Sequence, residues 1–110
     1  MIVFRHCVTA FGNVVLECEG HAGYAGKGQD IVCAGVSALC MAAEAALESY
    51  DKRCVKNASD GYFCIRCKYT PETAAVARTV ICGMECIAQL YPEHVSCQHI
   101  TAESTHRKKS

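Results

Sequence analysis

Two stretches of this chain repeat apolar residues at steps of four and three, and the segments around them alternate in steps of two. Val32, Val36, Leu39, Ala43, Ala46 and Tyr50 make one stripe, and Ala77, Val80, Met84, Ile87 and Tyr91 make the other. A period near 3.6 puts each set on one side of a helix, so each helix has a face that something must cover. Asp30 is a suitable N-cap for a first helix over Ile31–Tyr50. Thr70-Pro71-Glu72 supplies a capping hydroxyl, a proline at the first helical position and an acid in the first turn of a second helix, which stops at Pro92.

The cover comes from the alternating segments. Ile2–Val8 alternates, Phe11-Gly12-Asn13 carries turn chemistry, and Val14–Glu19 sets Val14, Leu16 and Cys18 opposite Val15, Glu17 and Glu19. This is the pattern of a β-hairpin. Gly61–Tyr69 reads as a third strand and His94–Ile100 as a short fourth, with the polar stretch Asp51–Asp60 as a connection. The order ββαβαβ predicts an α+β fold, a single domain over 1–100 with a mainly antiparallel sheet packed by two helices. Residues 101–110 read as a polar, disordered tail. With 51% hydrophobic and 20% charged residues, the body is not an intrinsically disordered chain.

Eleven basic residues balance eleven acidic ones, and without Arg107, Lys108 and Lys109 the remainder is acidic. No broad basic field draws in nucleic acid, so no direct nucleic-acid partner is expected. No unbroken apolar run approaches the ~20 residues of a membrane span, and Arg5 and His6 interrupt the opening segment where an export signal would need an apolar core. The expectation is a cytoplasmic protein without membrane contact. Ten cysteines then read mainly as small buried hydrophobes in a reducing compartment rather than as a disulfide scaffold.

One segment joins residues that can do chemistry. Gly20, Gly23, Gly26 and Gly28 fall within ten residues without periodicity, which predicts a flexible loop. His21 stands at the strand exit before it, and with Asp30 as cap Cys33 becomes the third residue of the helix that follows. There its thiol would lie near unpaired backbone N–H groups and the positive end of the helix dipole, which favour a thiolate. Folded over, His21 could serve Cys33 as general base. Asp30 either orients that imidazole or only caps the helix.

The wording GHAGYAGKGQDIVCAGVSAL resembles the signature of the bacterial ribosomal-processing cysteine protease family, Prp, in which G-H-A is followed by a glycine-bearing loop and D-I-V-C-A-x-V-S. The resemblance implies a cysteine endopeptidase, with no cofactor and no metal, that removes a short N-terminal extension from the precursor of large-subunit ribosomal protein twenty-seven. It also implies a homodimer. The family's nucleophile falls on Cys33, its histidine on His21, its acid on Asp30 and its serine on Ser37. So many additional cysteines depart from the family pattern and suggest sensitivity to oxidation.

Two other readings use the same residues differently. A non-enzymatic module could bind a ribosomal-protein extension with the same groove and no nucleophile. A zinc-stabilised structural protein could use Cys64, Cys67, Cys82 and Cys86, whose spacing approaches a paired zinc motif. Against the second, Cys64 and Cys67 lie three apart on a strand pattern and so point to opposite faces. His6, His94 and His99 read as isolated strand residues.

Overall fold

This computed structural model describes residues 1–20 and 27–100, and of residues 27–30 the backbone only. The tail 101–110, which the sequence reading separates from the domain, lies outside the described residues. The elements are β1 (Ile2–Val8), β2 (Asn13–Glu19), α1 (Lys27–Tyr50), β3 (Val55–Ser59), β4 (Tyr62–Lys68), α2 (Pro71–Leu90) and β5 (Val95–His99). They form a single α+β domain with a five-stranded sheet in the order β3-β4-β2-β1-β5. All neighbours are antiparallel except β1 and β5.

The sheet follows the alternation in the sequence. The side chains of Ile2, Phe4, Val14, Leu16, Cys18, Ile65, Cys67 and Val95 share one face and join Val32, Val36, Ala43, Leu47, Ala77, Val80 and Met84 from the helices in the main core. The registers Phe4↔Cys18 and Leu16↔Ile65 hold these rows side by side. A smaller cluster of Cys7, Val15 and Cys64 lies on the other face. Cys64 and Cys67 are therefore on opposite sides of the sheet, as strand geometry requires. They cannot aim at one ion with the exposed Cys82 and Cys86 of α2.

Four features differ from the sequence reading. The order ββαβαβ gains a strand, β3, inside the stretch read as a polar connection; every residue of β3 is exposed, so no buried alternation marks it. It ends in the two-residue turn Asp60-Gly61, with Gly61 at φ +74°, before Ser59↔Tyr62 opens its ladder with β4. Helix α1 starts at Lys27, so Asp30 is inside it rather than its cap, and Gly28 belongs to the helix and not to the loop. Its first turn, Lys27-Gly28-Gln29-Asp30, has no apolar residue through which a periodicity could reveal it.

At the other end of α1 the buried stripe passes through Leu47, while Tyr50 is 58% exposed. Finally, Ile31–Tyr50 and Pro71–Leu90 are each long and apolar enough, by length and composition alone, to cross a membrane. A search for unbroken apolar runs misses them because single charges such as Glu44 and Arg78 interrupt each run. Their buried stripes lie on the sheet, which is how core helices pack.

The capping prediction for α2 matches the structure. Thr70 is the N-cap in extended backbone; its Oγ1 accepts the Thr73 N–H, and Thr73 Oγ1 accepts the Thr70 N–H, the reciprocal pair that satisfies two otherwise orphaned donors. Pro71 follows at the first helical position. The end of α1 is tied down by Asp51, whose carboxylate accepts the main-chain N–H groups of Lys68 and Arg53. Those two hydrogen bonds hold its carboxyl below the usual carboxylate range.

Candidate active site

Cys33 is half-buried on the α1 face that meets the sheet, between the fully buried Val32 and Val36. It is the seventh residue of the helix, about 9 Å along the axis from Lys27 at 1.5 Å per residue. The sequence reading made it the third, beside the free N–H groups. That placement is corrected: the unpaired donors belong to the first turn, Lys27–Asp30, which begins almost two turns and ends about one turn before Cys33.

The thiol borders an open cavity of about 420 Å³ whose lining includes Gly20, Cys33, Ser37, Cys40, Met41 and Phe63. Cys33, Ser37, Cys40 and Met41 follow the i, i+4, i+7, i+8 spacing of one helix face, which is why they share a wall. Ser37 is exposed there, one turn beyond Cys33. The facing wall comes from the ends of β2 and β4, where Cys18 pairs with Phe63. Ile2 and Val36 close the apolar floor, and Asp60 and Tyr62 stand at the turn side.

Gly20 fixes the rim. It has φ +108°, a conformation that side-chain-bearing residues rarely adopt, and a Cβ there would run into the Met1 carbonyl oxygen. Its N–H donates to the Gly61 carbonyl at 2.8 Å. Gly20 was read as part of a flexible loop, yet it is held between two backbone segments and is required by close approach. Of the other expected loop glycines, Gly23 and Gly26 lie outside the described residues, as does His21; of Asp30, only the helical backbone is described.

Tyr62 is held from behind. Its hydroxyl donates to Glu17 Oε2 at 2.7 Å, and Arg5 Nη1 meets Glu17 Oε1 at 3.0 Å, so the 6%-exposed Glu17 has a partner on each oxygen. Burial, and next the hydrogen bond to Glu17, push the Tyr62 phenol well above its ordinary value. Cys18 and Cys40 line the cavity from the sheet and the helix, and the neighbouring Cys40 thiol first, then burial, push the Cys18 pKa up. Their approach and the Phe63 and Met41 walls have no signature in a linear reading, because the sheet register and the packing of α1 bring them together.

The remaining histidines are not all isolated. His6 and His99 meet edge to face at 5.1 Å across the parallel β1–β5 pair. Burial first, and the charge of His99 second, push the His6 pKa down, against a smaller opposing effect of Glu85. His94 sits in the turn before β5 and not on the strand.

Comparison with known proteins agrees with this architecture. Among solved structures, an essential ribosomal processing protease Prp from Staphylococcus aureus, in complex with a covalently linked product peptide, is 28% identical with a TM-score of 0.76, covering 91% of this chain and 100% of that one. The same protease with a substrate peptide is 27% identical at TM-score 0.76, over 91% and 100%. A Streptococcus mutans protein is 29% identical at TM-score 0.74, over 92% of this chain and 95% of that one. The search of curated proteins finds no match. The family model described as cysteine protease Prp matches residues 1–96, a span that takes in every described element up to the start of β5, and the chain therefore belongs to the Prp family of ribosomal-processing cysteine proteases.

Proposed function

We propose that this chain is a cytoplasmic endopeptidase that removes the N-terminal extension of large-subunit ribosomal protein twenty-seven, with Cys33 as nucleophile and His21 as its general base and acid. The observation that carries the reading is a half-buried thiol on the wall of an open, mainly apolar cavity, in a chain of this family. His21 follows directly on Gly20, which lines the same cavity.

In this reading the Cys33 thiolate attacks the scissile carbonyl carbon and the carbonyl oxygen takes the negative charge. His21, carrying the proton taken from the thiol, gives it to the leaving amine as the C–N bond breaks, and a thioester remains. Water, deprotonated by His21, then attacks the thioester; the acid leaves and the thiol is restored. Asp30 serves in support of His21, and the exposed Ser37 hydroxyl faces substrate. With Cys33 deep in α1, stabilisation of the oxyanion by helix N-terminal amides has no support from the fold. A peptide enters extended over Phe63 and Met41. The covalently linked product peptide in the Staphylococcus aureus complex supports a covalent route for this chain.

We also propose that the active species is a homodimer, which light scattering tests directly. The decisive experiment is incubation of the purified chain with the extended ribosomal protein, followed by intact-mass measurement. A product shortened at its N-terminus is expected. Full-length substrate retained in a stable complex would overturn the peptidase reading in favour of a binding module.

A further inference from the structure

Of the ten cysteines, all of them among the described residues, Cys82 and Cys86 are the exposed ones, and both stand on α2. They are four residues apart, so the helix sets them on one face, one turn from each other, with Cβ atoms about 5–6 Å apart. Neither belongs to the Cys33 cavity. The core takes Thr73, Ala77, Val80 and Met84 from this helix, while Gly83 turns towards Leu39 of α1. The two thiols project from the surface that remains.

Their spacing decides what the pair can do. A disulfide needs Cβ atoms roughly 3.5–4.5 Å apart, closer than a regular helix holds them, so joining the two sulfurs would distort the turn. One atom placed between the sulfurs removes that conflict. Two metal–thiolate bonds of about 2.3 Å at a tetrahedral angle set the sulfurs about 3.8 Å apart, a span that side chains one turn apart reach by leaning towards each other. Thiolates are soft ligands and select ions such as zinc over calcium or magnesium.

We propose that Cys82 and Cys86 form a two-thiolate chelate for a soft divalent ion of the zinc–cadmium type on the outer face of α2, and that the bound ion stiffens the helix across Gly83. Each thiol gives up its proton as its sulfur binds, two protons leave for each ion, and no electron is transferred. Cys82 also borders a cavity with His6, Glu85 and His99, but among the described residues no three such side chains form a metal-binding group. The ion therefore has two protein ligands, keeps water in its other positions and exchanges readily, unlike the closed four-ligand site of a structural zinc.

The stiffening has a definite place. Gly83 lies between the two thiols in sequence, and a Cβ there would come to 3.0 Å from the Leu39 methyl carbons, so the approach of α1 keeps the position free of a side chain. A glycine inside a helix weakens it relative to alanine. A link from residue 82 to residue 86 spans that turn when it is helical and has no preformed counterpart in an unfolded segment, so binding favours the helix.

The test uses cadmium chloride alone, added to the reduced, desalted chain carrying Cys33→Ala, which removes the thiol of the proposed chemistry. A sulfur-to-cadmium charge-transfer band is expected to saturate at one ion per chain, with two protons released. At saturation, alkylation of Cys82 and Cys86 by iodoacetamide should slow at least about tenfold, because a metal-bound thiolate is no longer a free nucleophile. Hydrogen exchange at the amides of Gly83–Cys86 should slow with it.

Cys82→Ser and Cys86→Ser in the same background should each weaken binding about a hundredfold or more, the gain that linking a second contact gives. The alkylation map of the parent chain locates the ion even where a variant folds poorly. One ion per two chains, protection of other cysteines instead, or unchanged affinity in either serine variant would overturn the chelate. A bound ion with unchanged exchange across Gly83 would overturn the stiffening. None of these readouts depends on cleavage of a substrate, so failure of the peptidase reading leaves them intact.

Discussion

The Tyr62 hydroxyl reaches the Glu17 carboxylate at 2.7 Å on the sheet face away from the helices, so a wall residue of the cavity is braced by a buried charge on the neighbouring strand. The other Glu17 oxygen is held by Arg5, which also meets Glu19 at 2.9 Å. Tyr62→Phe keeps the ring but leaves Glu17 Oε2 without that donor. A loss of about 1–2 kcal/mol is expected from a hydrogen bond to a buried carboxylate, read as a lower urea midpoint at unchanged slope. An unchanged midpoint would show that water replaces the hydroxyl at no cost.

Cys33→Ala should abolish cleavage and keep the fold. Alanine is the best helix residue, the side chain removed is small and half-buried, and the expected stability change is within about 1 kcal/mol. Cleavage measured by mass should fall by at least about 10³-fold if this thiol forms the thioester. Cys33→Ser should fail comparably, because a hydroxyl has no accessible anion near neutral pH. Turnover near the unsubstituted rate in either variant would assign the chemistry to another group.

Glycine substitutions should separate by position. Gly20→Ala forces a Cβ towards the Met1 carbonyl at φ +108° and should cost about 2–3 kcal/mol. Gly28→Ala, in the first turn of α1, should be neutral or stabilise by up to about 0.5–1 kcal/mol. Urea midpoints of the two variants should therefore move in different directions, or at least by very different amounts. Equal losses would contradict the helix start at Lys27.

Stability should fall as the solution is acidified through the histidine range. The folded His6 pKa is depressed, by burial first, below the unfolded value of about 6.5. On acidification the unfolded chain therefore takes up its proton first. The contribution of this residue is present above about pH 6.5 and is lost as pH falls towards the folded pKa. His6→Gln, which also removes the contact with His99, should flatten the dependence of urea midpoint on pH between about 8 and 5. An equally steep dependence in the variant would place the titration elsewhere.

What the sequence disclosed followed from burial. Val14, Leu16 and Cys18, or Ala77, Val80 and Met84, announce their elements because each row is pressed against a core. Strand β3 is buried at no position, and its one mark in the sequence is Asp60-Gly61, the dipeptide of a tight hairpin. The first turn of α1 escaped because Lys27-Gly28-Gln29-Asp30 holds no apolar residue to carry a periodicity. Within the site, Ser37 was named beside Cys33 only through the family resemblance, and the two stand one turn apart on α1. Cys18, Cys40 and Phe63 come from three elements, and only the register Cys18↔Phe63 and the packing of α1 make them neighbours.

The parallel pair β1–β5 joins Ile2 to Val95 and His6 to His99, nearly the two ends of the described chain. The two hairpins close through short local turns, whereas this ladder must wait for almost the whole polypeptide to be made. Until β5 arrives, the outer edge of β1 has no ladder partner from this chain, and such an edge can template pairing with another molecule. During synthesis, exposure of that edge lasts until Val95–His99 clears the ribosome. In the finished protein the edge strand β5 should open before the centre of the sheet, with its amides exchanging hydrogen faster than those of Val14–Cys18, which lie between two strands.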